Sequence, residues 1–213
     1  MKECFYKQAT ETVVLNNFMS AMEQGCSRCT LADHKHKPII YKGDPNSDIL
    51  LIGEAPGKVE QEQRKPFVGS AGKLLDNIML SIGLSTETDM CISNCVFCRP
   101  TAPSYSGKQN YTPKIKQLST CQPLVKNFIK IVKPKVIIAC GRTALMMLTG
   151  DSGVRIGQHE GKWLKYNNTP VFVMTHPAAI LHKAAWPDEQ RAMKAKMWKY
   201  MQEFRDSWKG KAA

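Results

Sequence analysis

Asn94 and His176 are the side chains whose types and settings most invite a chemical reading. Asn94 stands in the otherwise apolar run Cys91-Ile-Ser-Asn-Cys-Val-Phe97, where an amide offers both donors and an acceptor. That set pairs with an imide edge such as that of uracil, and it serves equally well to bond backbone within the strand. His176 lies in Met174-Thr-His-Pro-Ala178. An imidazole there can donate a hydrogen bond to an oxygen on which negative charge is growing, although a lone histidine also serves as structure or as a metal ligand. The third feature is the stretch Gly53–Gly72, GEAPGKVEQEQRKPFVGSAG. Its glycines let the backbone approach a ligand closely, and Pro56 stiffens the turn. Its spacing matches neither a Walker loop nor a GxGxxG dinucleotide loop. Phe67 within it is either core or a ring face offered to a flat base.

Cysteine supplies a second chemistry. The eight are Cys4, Cys26, Cys29, Cys91, Cys95, Cys98, Cys121 and Cys140. The N-terminus, MKECFYKQATE, lacks the apolar core of a signal peptide, so the thiols are expected to stay reduced. Cys26-Ser-Arg-Cys29 is a C-x-x-C pair, and with Cys98 and Cys121 it makes a four-thiolate set. Such a set suits zinc or an iron–sulfur cluster; Cys91 and Cys95 are rival ligands, and Cys140 reads as core.

Charge points to the partner. The net charge of +12 favours a polyanion, because Lys and Arg displace the counterions condensed on nucleic acid. Apolar residues at 43% and charged residues at 23% fit a soluble globular protein. No apolar run approaches the roughly 18 residues of a membrane span. A monomeric, soluble, intracellular protein of the cytoplasm or nucleoid is expected, with no membrane partner.

These residues need a frame. Apolar spacing over Glu11–Gln24 predicts an N-terminal helix, and a last helix is expected over about Asp188–Trp208. Short apolar runs at Asp48–Gly53, Met90–Phe97 and Lys135–Cys140 read as strands buried on both faces. Helices follow at Ser70–Ile82, with Ser70 near the N-cap, at Lys114–Val132 and from Gly141. Gly161–Tyr166 and Val171–Thr175 can pair across Asn167-Asn168. Ala102–Tyr111 reads as a surface loop. Alternating strands and helices predict an α/β fold: one domain over 1–213, three αβα layers and a central, mostly parallel four-stranded sheet. Ligands of such sheets bind beyond the carboxyl ends of the strands, where the glycine loop, Asn94 and His176 all fall.

Taken together, CSRC, GEAPG with PFVGSAG, SNCVFCRP and THPAAIL resemble the iron–sulfur branch, family 4, of the uracil-DNA glycosylase superfamily. The resemblance runs in order from Cys26 to about Leu181. It implies a DNA repair enzyme that hydrolyses the glycosidic bond of deoxyuridine in single- or double-stranded DNA. Carried over by position, Phe67 would stack on uracil, Asn94 would read its edge and His176 would bond its O2. The loop of Gly53, Ala55 and Gly57 would surround base and sugar. Ser70 and the residues around Ala178–Lys183, Lys183 included, would meet DNA. Cys26, Cys29, Cys98 and Cys121 would hold a structural 4Fe-4S cluster, with zinc the alternative metal.

Several positions depart from the family pattern. Ala55 stands where better-known members of the superfamily carry a water-activating Asp, which leaves Glu54 first and Glu60 second to orient water or stabilise a cationic sugar. Gln61 replaces a usual Asp, Arg64 a usual Gly and Thr101 a usual Pro, and the Cys98–Cys121 interval is long. A second reading is therefore a module on the same fold that binds uracil-containing or single-stranded DNA, or a replication partner, without cleaving. A third is a zinc-bound nucleic-acid protein with no base pocket.

Overall fold

The computed structural model describes residues 2–31, 37–101, 109–183 and 185–212. Six strands form one sheet: β1 (Tyr41–Gly43), β2 (Ile49–Gly53), β3 (Cys91–Asn94), β4 (Val136–Cys140), β5 (Trp163–Tyr166) and β6 (Thr169–Met174), in the order β1-β3-β2-β4-β6-β5. The expected parallel core of four strands is present as β3-β2-β4-β6. The sheet nevertheless has six strands rather than four, because β1 and β5 each add an antiparallel edge. The β5–β6 hairpin turns at Asn167, which takes a left-handed φ of 53°.

Among the described residues seven α-helices surround this sheet: α1 (Lys2–Glu23), α2 (Lys58–Gln63), α3 (Ser70–Leu80), α4 (Ile115–Val132), α5 (Arg142–Thr149), α6 (Pro177–Leu181) and α7 (Pro187–Ala212). The strand alternation divides the core into two layers. Leu50, Ile52, Ile137, Ala139, Val171 and Val173 face α1, α4 and α5. Ile49, Leu51, Val136, Ile138, Phe172 and Met174 face α3, α6 and α7. A strand covered on both faces must be apolar at every position, which is why ILLIG and VIIAC are buried throughout.

The route of the chain creates the crevice. After β2 the chain passes by α2 and α3 to β3 on one side, whereas after β4 it enters α5 on the opposite face and continues toward β6. The carboxyl ends of β2 and β4 therefore part, which is where open α/β sheets take ligands. Among the described residues no helix is long and apolar enough to cross a membrane.

Candidate functional site

The β2–β3 register sets Gly53 directly beside Asn94, the last residue of its strand. Glycine is required there: a Cβ on Gly53 would come to 2.4 Å from Phe67 Cζ and 2.7 Å from Asn94 Oδ1. Phe67 and the Asn94 amide thus meet over a bare piece of backbone. Asn94 is 1% exposed, and neither its Oδ1 nor its Nδ2 finds a partner among the described residues. Buried amides are nearly always satisfied, so an unpaired one is the signature of a group held ready for something else.

Phe67 is held in an uncommon conformation. Its φ of 53° lies in the left-handed region, which costs a bulky residue of order 1–3 kcal/mol. Two constraints hold it there. The start of α3 presses on its backbone so closely that a Cβ on Gly72 would fall 2.0 Å from Phe67 O. Glu60 fastens the loop on either side: its Oε2 accepts from the Gly57 N–H at 3.0 Å, and its Oε1 accepts from the Val68 and Gly69 N–H groups at 3.1 and 2.8 Å. One carboxylate therefore caps the beginnings of both α2 and α3, where backbone N–H groups lack helical partners and negative charge is favoured. The N-cap of α3 is accordingly Gly69, with Ser70 the exposed first residue of the helix.

This occupies the carboxylate that sequence reasoning offered to substrate or water. Glu60→Gln would turn an N–H2 group toward one of these backbone donors and leave it unpaired, at about 1–3 kcal/mol. The expected result is a melting point several degrees lower, at about 2–4 °C per kcal/mol for a chain of this size, with a raised KM as the loop loosens. Unchanged melting by calorimetry would remove the clamp from consideration.

Across the crevice, Glu54 Oε2 accepts from Thr143 Oγ1 at 2.5 Å, which ties the end of β2 to the start of α5. His176 is the N-cap of α6, and its Nδ1 accepts from the Ala178 N–H at 3.2 Å. Burial pulls its pKa down to about 4, against a smaller opposing pull from Glu60. At neutral pH the ring is uncharged, and with Nδ1 accepting, its proton sits on Nε2. Its centroid lies 5.5 Å from that of Phe67. Behind it, the Thr175 N–H donates to Tyr200 Oη at 3.3 Å, the Thr175 hydroxyl donates to Glu160, and Lys196 pairs with Glu160.

Glu54, Ala55, Gly57, Glu60, Phe67, Ser70 and His176 line one open cleft, with Gly53 and Asn94 beneath Phe67. Lys183 stands outside it, paired with Glu189 at 2.7 Å and lying over the Trp186 ring. Sequence reasoning missed Thr143 and the wall formed by Asn110, Tyr111 and Thr112. The signals were the carboxyl end of the β4 strand and the long Cys98–Cys121 interval. Most of the expected Ala102–Tyr111 loop, residues 102–108, lies outside the described residues; a bridge between Thr101 and Asn110 joins its ends.

Cys26, Cys29, Cys98 and Cys121 line a separate small cavity of about 20 Å³, together with apolar residues such as Met22, Leu31 and Leu124. Cys91, Cys95 and Cys140 are fully buried in the core away from it. Burial, with the neighbouring thiols adding to it, pushes Cys98 up to about 12; burial likewise pushes Cys121 up to about 12. Among the described residues no three His, Cys, Asp or Glu side chains gather closely enough for a single metal ion. The four thiols all border that cavity and together make a soft, all-sulfur donor set.

The sequence of residues 40–202 matches the family model described as the uracil DNA glycosylase superfamily. The chain is 34% identical over 165 residues to a type-4 uracil-DNA glycosylase of Saccharolobus solfataricus, covering 74% of this chain and 73% of that protein. It is 32% identical over 169 residues to one of Pyrobaculum aerophilum, covering 76% and 82%. With one of Thermotoga maritima it shares 31% over 170 residues, covering 78% and 83%.

Proposed function

The chain belongs to the uracil-DNA glycosylase superfamily, and from that premise we propose that it removes uracil from DNA by hydrolysing the glycosidic bond of deoxyuridine, leaving an abasic site. The observation that carries this reading is the buried, unpartnered amide of Asn94 beside the Phe67 ring. A uracil edge, with one donor at N3 and an acceptor at O4, satisfies both of its atoms at once.

The steps follow from the side chains. The base leaves the stack at a cost of a few kcal/mol. Phe67 receives its face, Asn94 its edge, and the neutral His176 donates Nε2–H to O2. As the C1′–N1 bond breaks, its electron pair goes to uracil, and the His176 donor stabilises the charge delocalised onto O2. Glu54, steadied by Thr143, favours the cationic sugar and takes the proton of the water whose oxygen bonds C1′. Ser70 at the cleft meets a DNA phosphate, and Lys183 does so by exchanging its partner Glu189 for one. On this reading residues 1–213 act as one domain.

Cys26, Cys29, Cys98 and Cys121 would hold a 4Fe-4S cluster. When bound it would act structurally, tying the exit of α1 to the segment after β3 and to α4. The test is joint: the purified protein should be brown with about four irons per chain, and should convert a uracil-containing oligonucleotide to an alkali-labile abasic product. Iron-loaded, folded protein that leaves uracil in place on U:G, U:A and single-stranded substrates would overturn the activity. Zinc in place of iron would overturn the cluster alone.

A further inference from the structure

The helix α2, Lys58–Gln63, lines the cleft and is hydrogen-bonded to the segment that follows Cys98. Toward the cleft it presents Glu60, the clamp on Gly57, Val68 and Gly69. The next residue, Gln61, accepts through Oε1 from Arg99 Nη1 at 3.1 Å. Arg99 is the residue after Cys98, and its Nε donates to Asn110 Oδ1 at 2.6 Å. Asn110 lines the cleft opposite Gly57. Arg64, at the C-cap of the helix, donates to the carbonyls of Lys37 and Pro38, and Pro38 lines the cysteine cavity. A short helix bonded both to the cleft loop and to the segments that carry Cys98 and Pro38 moves with both of them.

We propose that Arg99 is a positioning residue that couples the cysteine cavity to the base cleft, by holding Gln61 of α2 and Asn110 of the cleft wall in register with its neighbour Cys98. The inference rests on the glycosylase and cluster reading above. Occupancy of the cavity fixes Cys98, and Arg99 carries that order to α2 and so to the Glu60 clamp. By linkage the effect is reciprocal: a base held in the cleft steadies the segment that holds the cluster. The planar fork of Arg99 suits this role because it bonds two partners at fixed angles, which a Lys ammonium cannot reproduce.

The experiment follows loss of visible absorbance from iron-loaded, full-length protein in excess ferrous chelator. It is run with and without a saturating oligonucleotide carrying 2′-fluoro-2′-deoxyuridine, whose glycosidic bond resists cleavage. In the wild type the oligonucleotide should slow cluster loss by about fivefold or more. Arg99→Ala should bring that ratio close to one while iron content at purification and melting temperature stay near wild type, and Arg99→Lys should recover part of it. Gln61→Ala tests the same strut from its other end, without touching the cysteine segment, should Arg99→Ala fold poorly. A wild-type ratio of one, or full protection retained in Arg99→Ala and Gln61→Ala, overturns the coupling. Absence of iron from the wild type overturns the cluster reading itself, a different failure read before any chelator is added.

Discussion

His176→Ala is expected to lower kcat by about 10²–10³-fold, the loss seen when one donor to a developing anion is removed, with a much smaller change in KM. The split follows from when the interaction matters. Uracil O2 is an ordinary carbonyl oxygen in the bound substrate and carries growing negative charge only as the C1′–N1 bond breaks. A donor aimed at it therefore contributes mostly in the transition state. The imidazole does this without a charge. Its Nδ1 is engaged by the Ala178 N–H, and burial holds its pKa near 4. The rate should show no inflection near pH 6.5 attributable to this ring, and the contribution should persist down to about pH 5. The sign for stability runs the same way: a histidine whose folded pKa lies below its unfolded value favours the folded state above about pH 6.5. That contribution falls away as pH drops toward 4. His176→Gln, which keeps an N–H donor, should recover part of kcat. A pH–rate profile with a wild-type break near 6.5 that disappears in His176→Ala would show instead that the ring works as a charged acid.

The parts of this fold written in unbroken apolar runs were legible in the chain. ILLIG and VIIAC can only be strands covered on both faces, and they place the glycine loop and Gly141 at one edge. The edge strand β1 was not legible, since three residues carry no periodicity and are defined by pairing with β3. Helix α1 begins at Lys2 rather than near Glu11, because its first nine residues, KECFYKQAT, carry their apolar residues in one cluster of the sequence and not at helical spacing. Sequence could nominate Asn94, Phe67 and His176 by type and setting. It could not foresee that Glu60 fastens two helix starts, since its partners are backbone N–H groups up to nine residues away.

The departures from the family pattern resolve in the same terms. Arg64 takes a left-handed φ of 58° as the C-cap of α2, a conformation in which Gly is the unstrained choice. Its guanidinium is bound to the carbonyls of Lys37 and Pro38 rather than free to meet a substrate. Gln61 accepts from Arg99 and does not line the cleft. Neither change removes a group from the arrangement of Asn94, Phe67, His176 and Glu54, so Gln61 and Arg64 do not favour the non-cleaving alternative, which then rests on the longer Cys98–Cys121 interval, whose residues 102–108 lie outside the described ones.

Asn94 separates the two remaining ways of reading a buried amide. If it were a structural residue bonding backbone, Asn94→Ala would leave buried groups unpaired and destabilise the protein by about 1–3 kcal/mol. Its Oδ1 and Nδ2 instead have no partner among the described residues, so removing them strands nothing there. Asn94→Ala should accordingly melt within about 2 °C of the wild type, the offset between losing an unpaired polar group and opening a small void. Its activity should collapse, because a bound base would then bury an unpaired N3–H and O4. Sites built to pair with a substrate group discriminate on the order of 10⁴-fold against a mismatch, and a loss of about that size in kcat/KM is expected. Asn94→Asp sharpens the test. It exchanges the amide donor for an acceptor, which opposes O4 of uracil and suits the exocyclic amine of cytosine. Uracil release should fall as in Asn94→Ala, and cytosine release from the same oligonucleotide sequence should rise above the wild-type background. A variant that melts several degrees lower yet still removes uracil at near wild-type rate would return Asn94 to the core and leave the base without its reader.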